Sequence, residues 1–209
     1  MSRGIRIVFE DVGKRYDQRV IFRGIEGAAE PGSVLVLTGP NGSGKSTLVS
    51  ILCGLLRPSR GTIRYLSGEE EISRPRWREY LGIVAPGMSV YEELTARENL
   101  SFFARVRGSG MVSADIDGLI EQVGLDPGRT TPVVGYSTGM RQRLKIAQAI
   151  LHEPEVLFLD EPGSNLDPAG QDWLATWVND FTAKGKTVVL ATNDRSEMEW
   201  GRDRVSLGA

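Results

Sequence analysis

Three short stretches of the chain carry residue types that together can hold and cleave a phosphoanhydride. Gly39-Pro40-Asn41-Gly42-Ser43-Gly44-Lys45-Ser46 has the spacing G-x-x-x-x-G-K-[ST] of a phosphate-binding loop. Glycines at these positions let backbone N–H groups converge on phosphate oxygens without side-chain clash. Lys45 brings a point charge to the β- and γ-phosphates, and the Ser46 hydroxyl is placed for Mg²⁺, with Thr47 next to it. The second stretch, Val156-Leu157-Phe158-Leu159-Asp160-Glu161-Pro162, is an apolar run ending in two acids. Asp160 is suited to hold Mg²⁺, mostly through water, and Glu161 to polarise the attacking water. The third is Tyr136-Ser137-Thr138-Gly139-Met140, in which Ser137 and the first N–H groups of a helix form a second anion site.

Each stretch needs an element to aim it. Ser33–Thr38 is an apolar run of the kind buried on both faces of a parallel sheet, and it leads directly into the glycine loop. Lys45–Leu55 follows with helical spacing of Leu48, Ile51, Leu52 and Leu55. Val156–Leu159 and Thr187–Ala191 read as two further buried strands, and Gly61–Tyr65 and Leu81–Val84 as strands as well. Ile5–Phe9 alternates and predicts a strand that runs into a polar turn. Thr95-Ala96-Arg97-Glu98 is a capping box opening a helix through Val106, and Ala114–Val123 forms a second helix. Ser137 caps a third, reaching about His152, and Asp167-Pro168 starts a fourth that runs to about Ala183. A short helix and a terminal edge strand complete the chain. Strands alternating with helices imply a parallel sheet covered on both faces. The stretch from Pro86 to Tyr136 contains helices only.

Taken together, the three motifs and their order resemble the ABC ATPase domain over nearly the whole chain. The resemblance implies an α/β P-loop NTPase of RecA-like type. Its core is a mostly parallel sheet with an N-terminal antiparallel β portion and an inserted helical subdomain. One domain spans 1–209, with the sheet core at about 1–85 and 137–209 and the helical part at about 86–136. It also implies ATP and Mg²⁺ as cofactors. Ser137, Thr138 and Gly139 would meet the γ-phosphate held by a second ATP-binding subunit, identical or related. Tyr16, in Lys14-Arg15-Tyr16, matches the aromatic that stacks on adenine, and Ser164-Asn165-Leu166-Asp167 the loop that communicates across the dimer. The implied partner is a transmembrane permease subunit, and the implied location the cytoplasm, peripheral on the inner face of the cytoplasmic membrane. Within the family the Tyr136–Met140 variant and the short length resemble exporter-type subunits of the haem-exporter and ABC-2 kinds, by analogy alone.

Two positions depart from the family. Leu81–Pro86 aligns with a strand that normally ends in Gln, which touches Mg²⁺ and the lytic water; Pro86 offers no side-chain donor or acceptor. In Thr187–Asn193 the last position usually holds His. His152 is the only histidine and precedes the acidic strand, so it does not fill that role. An Asn193 amide can bond a phosphate oxygen but carries neither proton nor charge. Nucleotide binding is therefore expected intact, with catalysis by Glu161, Lys45 and Asn193 slower. A degenerate subunit that holds ATP with little hydrolysis is the alternative. A soluble ABC ATPase of DNA maintenance or translation would carry a long coiled coil or two fused ATPase domains, and neither is seen. A P-loop kinase would not need Ser137-Thr138-Gly139.

Composition narrows the field further. A chain of 209 residues is long enough for a sizeable core, and a net charge of −2 shows no basic excess for nucleic acid. Cys53 is the only cysteine, which excludes an internal disulfide and suits a reducing compartment. Met1–Glu10 lacks a signal-peptide apolar core, and no apolar run approaches the ~20 residues of a membrane span. Any membrane span must then come from another chain. Trp77, Trp173, Trp177 and Trp200 read as packing, and Met88, Val90, Tyr91, Leu94, Phe102 and Phe103 as subdomain core with part of a docking groove.

Overall fold

The computed structural model describes residues 4–108, 110–164 and 166–208. Its elements in chain order are β1 (Ile5–Tyr16), β2 (Arg19–Ala29), β3 (Val34–Thr38), α1 (Lys45–Leu52), β4 (Arg60–Ser67) and β5 (Glu70–Ile72). They continue as α2 (Trp77–Tyr80), β6 (Leu81–Val84), α3 (Ala96–Val106), α4 (Ser113–Gln122), α5 (Thr138–Ile150), β7 (Val156–Asp160), α6 (Pro168–Ala183), β8 (Thr187–Ala191), α7 (Arg195–Met198) and β9 (Asp203–Ser206).

The central layer is a parallel sheet ordered β6-β7-β8-β3-β9. Its three middle strands are buried on both faces, which is why they read as unbroken apolar runs. Successive side chains alternate between the two faces. Val36, Leu157, Leu159, Val188 and Leu190 face one core with α3, α4, α5 and α6. Leu35, Leu37, Phe158, Val189 and Ala191 face the other, with α1 and a second sheet. That sheet is antiparallel, ordered β2-β1-β4-β5.

β1 does not stop at Phe9. It runs on to Tyr16 through register shifts between Phe9 and Val12, Val12 and Lys14, and Lys14 and Arg15, so the polar turn expected after Phe9 is a bulged strand. A tight turn at Asp17-Gln18, with Asp17 at φ 49°, returns the chain as β2. α1 ends at Leu52, short of Leu55, because Gly54 takes φ 80° and reverses the backbone.

Between β6 and β7 the regular elements among the described residues are α3, α4, α5 and one 3₁₀ turn (Val133–Gly135). The Thr95–Glu98 capping box is formed in both directions, and Asp167 caps α6 through the Gly170 N–H at 2.8 Å. His152 follows α5, its Nε2 3.0 Å from the Leu81 carbonyl oxygen. Among the described residues no helix is long and apolar enough to cross a membrane.

Candidate functional site

Parallel pairing brings the carboxyl ends of β3, β8 and β7 side by side, and ligands bind at that edge of such sheets. From β3 comes the glycine loop, from β7 the acidic pair, and from β8 Thr192 and Asn193. Ala85 and Pro86 leave β6 at the same edge.

The loop folds as its glycines require. Gly39, Gly42 and Gly44 take φ of 146°, 81° and 101°. A Cβ on Gly39 would lie 2.7 Å from Ser43 Oγ and collide with the Leu207 carbonyl. Gly44 caps α1, so the free N–H groups of that helix open onto the loop. Lys45 is 5% exposed, and its Nζ donates to the Gly39 and Pro40 carbonyls at 2.8 and 3.3 Å. Asn41, Gly42, Gly44, Lys45, Ser46 and Thr47 line one pocket together with Glu161, Arg19 and Ile21.

Asp160 is 5% exposed at the end of β7. Burial holds its carboxyl above the usual range; the Ser46 hydroxyl bonded to it opposes that, Glu161 adds to it and Lys45 opposes it. Asp160 Oδ1 and Ser43 Oγ are buried without hydrogen-bond partners among the described residues. A bare buried carboxylate oxygen beside a serine hydroxyl fits a divalent cation with its waters. Among the described residues no cluster of three or more His, Cys, Asp or Glu suited to a metal forms. A cation here would therefore take its remaining oxygens from phosphate and water. Glu161 stands at φ 49°, a strained conformation for a non-glycine residue, fixed by its N–H to the Ala191 carbonyl at 2.8 Å. Its Oε1 is 3.9 Å from Lys45 Nζ.

The raised Asp160 carboxyl carries a stability consequence. A folded-state value above the ordinary 3.8 means the ionised form costs stability above the folded value and nothing below the ordinary one. Asp160→Asn is expected to raise the thermal midpoint of the nucleotide-free protein at pH 7, and the gain to fade as the pH falls through the raised folded-state value and to be gone by the ordinary 3.8. Each kcal/mol relieved is worth about 2–4 °C in a chain of this size. A lower midpoint for the Asn variant at pH 7 would show that the carboxylate is structural.

The remaining sequence candidates lie around this centre. Asn193 reaches the glycine loop, its Nδ2 donating to Asn41 Oδ1 at 2.8 Å. Pro86 and Thr138 line a cavity of about 390 Å³ with Asp160, Glu161, Gln142 and Lys145. Ser137 caps α5, accepting from the Met140 N–H at 3.2 Å; neither it nor Gly139 lines the pocket of the glycine loop. Tyr16 ends β1, 48% exposed, with Lys14 Nζ 4.8 Å from its ring centre, and pairs across the hairpin with Arg19. Asn165 lies outside the described residues. Sequence reading missed Arg19 and Ile21, which sit on a strand it did not foresee, although Val20, Phe22 and the Tyr16–Arg19 spacing are a hairpin signal. It also missed Gln142, Lys145 and the buried pair Thr192 and Glu197.

A parallel sheet whose glycine loop feeds a helix, with two acids at the end of the next strand but one, is the architecture of a P-loop nucleotide-binding cassette. Residues 22–164 match the family model described as "ABC transporter". The chain belongs to the ABC transporter family. It is 38% identical over 205 residues to the daunorubicin resistance ATP-binding protein DrrA3 of Streptomyces coeruleorubidus, covering 96% of this chain. It is 36% identical over 196 residues to the Nod factor export ATP-binding protein I of Burkholderia pseudomallei, covering 92%. The chain spans 64% of the length of each of these relatives. Among solved structures it resembles cbiO1 from Clostridium perfringens, part of the ABC transporter complex cbiONQ. The TM-score is 0.81 and the identity 26%, over 96% of this chain and 84% of that one. It likewise resembles an ATP-binding subunit of an ABC transporter, with TM-score 0.79 and 26% identity, over 96% of this chain and 85% of that one.

Proposed function

We propose that the chain is the Mg²⁺-dependent ATPase subunit of a membrane exporter, acting as a dimer against a transmembrane permease. The observation that carries this reading is the meeting of Lys45, Ser46, Asp160 and Glu161 at one sheet edge, with the Asp160 oxygen unpartnered. Backbone N–H groups of the loop and of α1 bind the phosphates, and Lys45 leaves its two carbonyl partners for the β- and γ-oxygens. Mg²⁺ held by Ser46 and Asp160 would neutralise charge building on those oxygens. Glu161 accepts the proton of the attacking water, and Asn193 bonds the γ-phosphate. Tyr16 supports the adenine.

Ser137 and Gly139 do not line the pocket of their own glycine loop, which suits contact with a nucleotide held by another subunit. The Nod factor relative is an export ATP-binding protein, and the 36% identity this chain shares with it supports the export reading. A permease contact on the inner membrane face is supported by an apolar groove of about 410 Å³ beside β6 and α3, where Leu55 and Val106 are 73% and 68% exposed.

Lys45→Ala tests the nucleotide site. Loss of a charge-assisted contact worth about 1.5–3 kcal/mol should weaken ATP binding by roughly 10- to 150-fold in calorimetry, or lower turnover to match. Unchanged affinity together with unchanged turnover would remove this loop from the reaction.

A further inference from the structure

Glu197 is a carboxylate buried where the proposed chemistry gives it nothing to do. It lies on α7, 3% exposed, behind the two loops that close over the reaction centre. Burying a carboxyl is costly unless its oxygens are satisfied, so its partners are informative. They are the Gly163 N–H, two residues after Glu161, and the Thr192 hydroxyl, one residue before Asn193. Burial holds the carboxyl above its usual range, the Thr192 and Gly163 bonds oppose this, and Asp194 and Glu161 add to it. The fit at Gly163 is close: a methyl group there would collide with Glu197 Oε1. Thr192 is itself buried, and its Oγ1 accepts the Asp194 N–H at 3.0 Å. One side chain thus fastens the backbone of the loop that carries Glu161 to the loop that carries Asn193.

We infer that Glu197 is a positioning residue, which sets Glu161 and Asn193 at a fixed separation around the γ-phosphate. This rests on the reading of Glu161 as the base. Glu161 already sits at a strained φ of 49°, and its anchor to the sheet, the N–H bond to the Ala191 carbonyl, fixes only the near end of its loop. Glu197 fixes the far end at Gly163. A misplacement of about 1 Å at a reacting group can cost 10²-fold in rate, so a brace of this kind acts on turnover more than on binding.

The test uses Glu197→Ala, Glu197→Gln and Thr192→Val in the full chain. A glutamine keeps an oxygen for the Gly163 N–H and an amide for the Thr192 hydroxyl; alanine keeps neither. Glu197→Ala is expected to lower kcat about 10²-fold with KM for ATP within about threefold of the parent, and Glu197→Gln to recover most of that loss. In the nucleotide-free protein the Gly163 amide should exchange its hydrogen faster in the Ala variant and at the parent rate in the Gln variant. In a Glu161→Gln background, Glu197→Ala should add less than about threefold, because groups that act as a unit are not additive. Equal behaviour of Gln and Ala, unchanged Gly163 exchange, or full additivity with Glu161→Gln would each overturn the inference. Should the Ala variant not fold, Thr192→Val removes one of the two bonds at nearly the same volume, and a parental kcat for it overturns the inference as well. If Glu161→Gln alone leaves turnover intact, the base assignment fails while the exchange measurement still judges the brace.

Discussion

Glu161→Gln is expected to lower steady-state phosphate release by at least 10²-fold, and up to about 10⁴-fold, the range for loss of a general base. The substitution keeps the shape of the side chain and removes its ability to take a proton. It also removes a negative charge 3.9 Å from Lys45 Nζ, beside the place proposed for the γ-phosphate, so ATP should be held at least as well as by the parent. A site that binds ATP and does not turn it over should accumulate the closed dimer, with each nucleotide held between one subunit's glycine loop and the other's Ser137–Gly139. Size-exclusion chromatography with ATP and Mg²⁺ reads this directly. Unchanged phosphate release would remove Glu161 from the base position. A monomer at high concentration, with release abolished, would mean that a related second subunit or the permease is needed to bring two sites together.

How much of this was legible in the sequence follows from where each signal resides. The strands β3, β7 and β8 are covered on both faces, so their apolar runs announce themselves, and the glycine loop and acidic pair sit where those runs stop. Helix starts were equally readable, because Thr95, Ser137 and Asp167 cap through contacts three residues away. β2 was not. Its burial follows no two-residue period, with exposed pairs at Arg19-Val20 and Arg23-Gly24 around the buried Phe22, and Gly24 takes φ 63°. Register shifts in β1 disguise its second half in the same way. Arg19 at the phosphate pocket went unseen for that reason. Glu197 is hidden for a different one: its partners are a backbone N–H and a hydroxyl on other loops, and no spacing in a sequence encodes such contacts. Pro86 and Asn193 were visible as departures, but only the folded chain shows what surrounds them.

Asn193→His is expected to raise turnover, and Pro86→Gln combined with it to raise turnover further, while ATP affinity stays nearly the same. Asn193 is tied to the glycine loop by a 2.8 Å bond to Asn41, a neutral amide pair that holds no charge and passes no proton. An imidazole at this position can hydrogen-bond the γ-phosphate and carry a proton near neutral pH. One transition-state contact of this type is worth about 2.7–4 kcal/mol, or roughly 10²–10³ in rate, which bounds the gain from a well-placed histidine. Pro86 lines the cavity that contains Asp160 and Glu161, and its side chain has no polar atom to offer there. A glutamine there would add a side-chain donor and an acceptor to the cavity that holds the acidic pair. Asn193→His alone tests the phosphate contact, Pro86→Gln alone the water side, and the double variant their coupling. Phosphate release from all three, measured against the parent at saturating ATP, is the experiment. If every variant is slower, the site has been re-tuned around the Asn41–Asn193 amide pair. The two departures would then be working parts of the site.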